Sequence, residues 1–190
     1  KADVLKSDIE DLLQSGADIP EPTVEAINKN EKNEEKHVLG IEKELFTVAT
    51  GEVIALTDVN DPVFSQKMMG DGFAVIPATG EVTAPLSGKI VSVFPTKHAI
   101  GMQTAEGAEV LIHMGLDTVQ MSQPAFEILV SEGQEVVAGT TIAQMNLDAI
   151  KNEGKETTII VVFTDDKVNG LTINKLGDTE RGTVIGKINL

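Results

Sequence analysis

Cysteine, tryptophan and tyrosine are all absent from this 190-residue chain, and each absence removes a class of function. Without cysteine there is no disulfide, no thiolate nucleophile and no cysteine-based zinc site, which fits a reducing compartment. Without tryptophan or tyrosine, base-stacking platforms and aromatic sugar-binding shelves are not expected. Positive charge is also scarce: 15 Lys and Arg stand against 30 Asp and Glu, for a formal net charge of -15. That balance opposes binding to nucleic-acid backbones or anionic lipid and favours a basic protein partner. No run approaches the roughly 18 consecutive apolar residues of a membrane span, and the first residues lack the basic-then-apolar order of a secretory signal. A soluble piece is therefore expected. Its start at Lys1, not methionine, suggests a fragment of a longer protein.

With 41% hydrophobic residues, the chain can bury one domain-sized core. The opening "DVLKSDIEDLLQSG" places Leu5, Ile9, Leu12 and Leu13 at helical spacing and Gly16 at a C-cap position, so a short amphipathic helix is expected over 1–16. Residues 17–40 are poor in large apolar side chains, carry two prolines and run into mixed acids and lysines, a linker composition. From Ile41 onward, short runs such as "GEVIAL", "GFAVIP", "GKIVSVF", "AEVLIHM" and "TTIIVVF" are broken about every eight to twelve residues by Gly, Pro, Asp or Asn. That pattern predicts an all-β antiparallel sandwich or barrel over 41–190. "DPVFSQKMMG" and "NLDAIKNEG" each add at most a helical turn or two.

Only three histidines occur. His37 falls in the linker, where a solvated surface role is the expectation. His98 and His113 lie in "KHAIGMQTAEGAEVLIHMG", two strand-like runs around a tight turn at "AEG". A two-residue loop sets Ile100 opposite His113 with His98 diagonal, and a four-residue loop sets His98 opposite His113. Either register predicts imidazoles within about 5 to 8 Å on one face. Such a pair suits metal binding, general base work or phosphoryl carriage, and the hairpin alone does not choose. Asp117 follows His113 across Gly115 and can turn back towards the ring. Thr96 offers a hydroxyl two residues before His98. Phe64, Met68 and Met69 suit either an apolar rim or the core.

"APLSGKIVSVF" followed by "VSEGQEVVAGTTIAQM" resembles the half-motifs of biotinyl and lipoyl carrier domains. Their swinging-arm lysine is missing, because Asn146 and Leu147 stand at that hairpin position. A closer resemblance covers nearly all of 41–190. "GDG" at 70–72, "TKHA" at 96–99, "HMGLDTV" at 113–119 and the fifteen-residue histidine spacing are similar to the glucose-type enzyme IIA domain of the bacterial phosphoenolpyruvate-dependent sugar phosphotransferase system. That domain is an all-β sandwich related to the biotinyl/lipoyl fold.

The resemblance implies that His113 accepts a phosphoryl group from the histidine-containing phosphocarrier protein and passes it to a IIB domain. It further implies that His98 supports the phosphorylated ring and that Thr96 joins the hydrogen-bond network. Asp61 and Asp117 match the family's acidic positions, and Val63, Phe64, Met68, Met69 and Phe94 its docking surface. Leu111, which the resemblance also places among the partner-binding residues, replaces a family phenylalanine just before the active histidine. No metal or other cofactor is required beyond the covalent phosphoryl group, although His98 and His113, with Asp117, are acceptable zinc ligands. Regulatory protein targets are also known in the family. Residues 1–16 resemble the last helix of a IIB domain, which implies the tail of a fused IIC-IIB-IIA permease, its IIA part cytoplasmic and the whole protein in the membrane.

Overall fold

The computed structural model describes residues 40–190. The helix expected over 1–16, almost all of the linker and His37 lie outside the described residues. The short runs become strands: β1 (Glu42–Phe46), β2 (Gly51–Ala55), β3 (Asp71–Pro77), β4 (Glu81–Thr83), β5 (Gly88–Val93), β6 (Ala99–Gln103) and β7 (Glu109–Met114). They continue as β8 (Phe126–Ile128), β9 (Glu135–Val136), β10 (Thr141–Met145), β11 (Ile159–Phe163), β12 (Gly170–Ile173), β13 (Gly177–Thr179) and β14 (Val184–Asn189). Every described strand pair is antiparallel. The expected all-β class is the observed one.

Both short helical segments are present. α1 (Pro62–Ser65) starts at Asp61, whose Oδ1 accepts from the Val63 amide at 2.9 Å, with Pro62 at the first helical position. α2 (Leu147–Asn152) is capped by Asn146, whose side chain accepts from the Ala149 amide at 3.0 Å. Both follow the preference for short polar side chains at an N-cap and for proline just inside a helix. The place where a carrier domain would present its lysine is here a helix start, which closes that reading.

An eight-stranded sheet, in the order β13-β2-β3-β11-β7-β6-β5-β9, carries the domain, with two three-stranded sheets, β1-β14-β12 and β4-β10-β8. One continuous core joins Phe73, Val75, Ile100, Met102, Ile112 and Val161 of the large sheet to Ile142 and Met145 of β10 and to Leu45 and Ile185 of the third sheet. The large sheet is apolar on its other face as well. There Leu56, Phe64, Ala74, Ala99, Leu111, Leu116, Ile160 and Val162 form a second, smaller cluster. β11, "IIVVF", sits between β3 and β7 and is buried throughout, so it shows an unbroken apolar run where a half-exposed strand would alternate. Gly72 explains part of the "GDG" motif: a Cβ there would stand 1.8 Å from the Val161 carbonyl oxygen across the β3–β11 ladder. Only glycine permits that approach.

The hairpin register is neither of the two expected. Ala99 pairs with His113, and Gln103 with Glu109. The loop holds three residues, Ala105–Gly107, between Thr104 and Ala108, with Thr104 N donating to Ala108 O at 2.9 Å and Gly107 at φ +91°. A three-residue loop closed by a left-handed glycine shifts the ladder by one position relative to an even loop.

Candidate active site

β7 is flanked by β6 and β11, so His113 stands between Ala99 and Ile160. It shares the second face of the sheet with Leu111, two positions earlier. With Ala99 opposite His113, strict alternation would carry His98 to the other face. It does not, because His98 precedes β6 in a bend where Lys97 has φ +59°, which breaks the period of two. The His98 carbonyl accepts from the Met114 amide at 2.7 Å. The ring centroids of His98 and His113 are consequently 5.0 Å apart, nearly perpendicular at 80°. The imidazoles meet as expected, but through an irregular backbone instead of a cross-strand pairing.

The hydrogen bonds fix much of the chemistry. His113 Nδ1 lies 2.8 Å from the Gly115 carbonyl oxygen. A carbonyl only accepts, so Nδ1 carries a proton and the lone pair of the neutral ring is on Nε2. Thr96 Oγ1 lies 2.5 Å from His98 Nδ1. Gly115 adopts φ +82°, and a Cβ there would stand 2.4 Å from Thr118 Cγ2. Its smallness therefore serves the turn that aims a carbonyl back at the ring. Thr118, buried, donates to the Met114 carbonyl at 2.5 Å and closes that turn. Thr118 is not among the residues expected at the site, and its place in "HMGLDT" is the signal for it in the sequence.

Phe64 and Leu111 were expected on the partner surface, and the structure places both inside. Phe64 is 5% exposed and packs against His113 with the rings tilted by 57° at a centroid distance of 5.1 Å. Leu111 belongs to the same buried cluster. They form the floor under the imidazole, where large apolar side chains hold a ring by packing. Val63, Met68, Met69 and Phe94 do reach solvent, and Phe94 also sets its edge against His98 at 5.5 Å. Val119, half-exposed, lies with Thr96, Lys97 and Thr118 on the wall of a shallow depression of about 350 Å³. Its apolar character among acidic and polar neighbours was the overlooked clue.

Burial holds the His113 imidazole below the ordinary histidine value, and the neighbouring His98 pushes it the same way. The Gly115 carbonyl, Asp61 and Asp117 oppose in that order. Burial likewise lowers His98, which is 5% exposed. Both rings are neutral at pH 7. A histidine with a depressed folded value contributes its full stability above the unfolded value of about 6.5 and loses it as pH falls towards the folded value, because only the unfolded chain then takes up the proton. Proton NMR titration of the imidazole Cε1–H signals is expected to place both midpoints below about 6.5. A His113 midpoint above that value would contradict the desolvated setting described here.

Zinc held by His98, His113 and Asp117 needs the three groups to converge. Among the described residues no cluster of three His, Asp or Glu side chains is placed to hold a metal.

These features define a class: an all-β domain whose site is a histidine pair, one ring partly exposed and the other buried, over an apolar floor, rimmed by exposed hydrophobic residues and edged by carboxylates. Residues 43–168 match the family described as phosphoenolpyruvate-dependent sugar phosphotransferase system, EIIA 1. The chain belongs to that family, whose members are phosphoryl carriers of sugar uptake. It is 47% identical over its whole length to the glucose-specific EIICBA component of Streptococcus pneumoniae serotype 4, of which it spans 26%. It is 46% identical to a glucose-specific EIIA component of Staphylococcus aureus, over 64% of this chain and 73% of that protein. Glucose permease IIA from Mycoplasma capricolum has a similar structure, with a TM-score of 0.74 and 37% identity, covering 78% of this chain and 97% of that one.

Proposed function

We propose that His113 accepts a phosphoryl group on Nε2 from the phosphorylated histidine-containing phosphocarrier protein and passes it to a IIB domain, for the coupled uptake and phosphorylation of a sugar. The observation that carries this reading is the Nδ1 contact with the Gly115 carbonyl, because it dedicates Nε2 to nucleophilic attack. In the step, the Nε2 lone pair forms the new N–P bond while the donor's N–P bond breaks and its nitrogen regains the pair. The proton of His113 Nδ1 stays on that nitrogen, donated to the Gly115 carbonyl throughout. The Thr96 hydroxyl donates to His98 Nδ1, which leaves Nε2–H of His98 to donate to a phosphoryl oxygen. Charge in the loose transition state spreads over three oxygens, so position and hydrogen-bond donation are the main requirements.

Val63, Met68, Met69, Phe94 and Val119 form the docking rim in this reading, and Asp61 and Asp117 attract the basic surface of the donor. Relatives named glucose-specific make glucose the first sugar to test. The streptococcal relative aligns through residues 1–40 as well, which supports 1–16 as the final helix of an upstream IIB-like domain, 17–40 as linker and 41–190 as the carrier domain. The IIB acceptor then lies in the same full-length membrane permease. Among the described residues no helix is long and apolar enough to cross a membrane.

The test is to mix the chain with isolated phosphorylated phosphocarrier protein bearing a labelled phosphoryl group. An acid-labile, base-stable label on His113 is expected, at an unchanged rate with a metal chelator present. No label refutes the reading, and a rate that collapses on chelation refutes its metal independence.

A further inference from the structure

The acidic and apolar residues beside His113 sit on a connection with no strand of its own, running from the end of β7 to the start of β8. Exposed connections of this kind are ordinarily the mobile part of a fold. This one is fastened at successive points by the residues that follow α2. Gly115 N donates to Thr158 O at 2.9 Å and Leu116 N to Glu156 O at 3.0 Å. Further along, the Lys155 ammonium donates to the Asp117 carbonyl at 2.7 Å and also to the Gln120 carbonyl. At the far end the Glu153 carboxylate accepts from Ser122 N at 3.0 Å, Ser122 Oγ at 2.5 Å and Gln123 N at 3.1 Å. Glu156 reaches the other acidic loop, accepting from Asn60 Nδ2 at 2.9 Å next to Asp61.

Lys155 has two features that set it apart from an ordinary surface lysine. Asp117 has φ +57°, a conformation that a non-glycine residue holds only when its surroundings impose it. The ammonium gathers the carbonyls on both sides of Val119 and so supplies that constraint, with the added strength of charged donors. Two of its three N–H donors go to main-chain oxygens, and among the described ion pairs it makes none with the Asp117 carboxylate. The backbone that carries Asp117 is held without an ion pair to its carboxylate.

We propose that Lys155, seconded by Glu153, is a positioning residue that sets the affinity of the site for its phosphoryl donor by holding Asp117 and Val119 in the docking geometry, without touching the phosphoryl group. This rests on the carrier reading above. A loop held in its bound shape spares the ordering cost of docking, so loss of the clamp should weaken encounter and leave chemistry intact.

The experiment measures label transfer to the full chain while varying the concentration of phosphorylated phosphocarrier protein. For Lys155→Met, which keeps the aliphatic stem, KM is expected to rise roughly tenfold with kcat within about twofold. Lys155→Arg, which keeps charged donors, is expected to restore most of the loss. Glu153→Gln, which weakens only the far anchor, is expected to show the same split in smaller measure, and it serves as the test if Lys155→Met does not fold. An unchanged KM in Lys155→Met overturns the inference, as does a fall in kcat, which would mean direct contact with the phosphoryl group. Failure of arginine to rescue overturns it too. A wild-type chain that takes no label overturns the carrier reading and this inference together, whereas wild-type labelling with unaltered variants removes this inference alone.

Discussion

Replacing His113 with glutamine is expected to abolish phosphoryl acceptance, even though a second imidazole lies 5.0 Å away. The two rings are not interchangeable. His113 is partly exposed and its Nδ1 is committed to the Gly115 carbonyl, so Nε2 is both unprotonated and open to a donor. His98 is 5% exposed, and its Nδ1 is engaged by Thr96. A nucleophile needs a lone pair in line with the phosphorus within about 3 to 3.5 Å, and the buried ring does not offer one. Intact-mass measurement after incubation with phosphorylated donor checks this: the variant should gain no phosphoryl group, and thermal unfolding should confirm that it folds. Label transferred to His98 in the variant would sink the assignment of distinct roles.

His98→Gln should separate the two halves of the cycle. Acceptance begins while the phosphoryl oxygens are still held by the donor's own groups, so one missing contact on this side removes only part of their support. Onward transfer begins with the group held by this chain alone. Losing an aimed donor to a developing charge typically costs about 10²–10³ in rate, and that loss is expected in transfer to the IIB domain, with acceptance reduced by about tenfold or less. Rapid-quench measurement of each half-reaction provides the comparison. Equal loss in both would argue that His98 shapes the site generally instead of supporting the phosphorylated ring. Glutamine also gives up the edge contact with Phe94, so the unfolding midpoint of the variant belongs beside its rates.

The all-β class was legible because short runs rich in Val, Ile, Thr and Phe are punctuated by Gly, Pro, Asp and Asn. The two helical turns were legible from Asp61-Pro62 and Asn146, since a capping side chain acts on amides two or three residues away. The histidine pair was legible from the hairpin and the motif residues around it. The register was not. It depended on whether Gly107 would adopt a left-handed conformation, and loop lengths of two, three and four residues are all compatible with "AEG". The bend at Lys97 that nevertheless brings His98 to the ring has no signature in residue type.

The fate of Phe64 and Leu111 separates the two levels of information. As residues they suit a docking surface or a core equally, and only the packing of α1 over the second face of the large sheet buries them beneath His113. The same holds for Lys155, whose contacts reach back 38 and 35 positions to Asp117 and Gln120. By itself, the sequence determined which chemistry is available: neutral imidazoles, acids at the edge, no thiol and no stacking aromatic. Tertiary structure decided which nitrogen is free, which apolar residues meet solvent and what holds the docking loop. Residue type, alternation and capping act over a few positions and are written locally, whereas burial, register and long-range hydrogen bonds exist only once distant strands have paired.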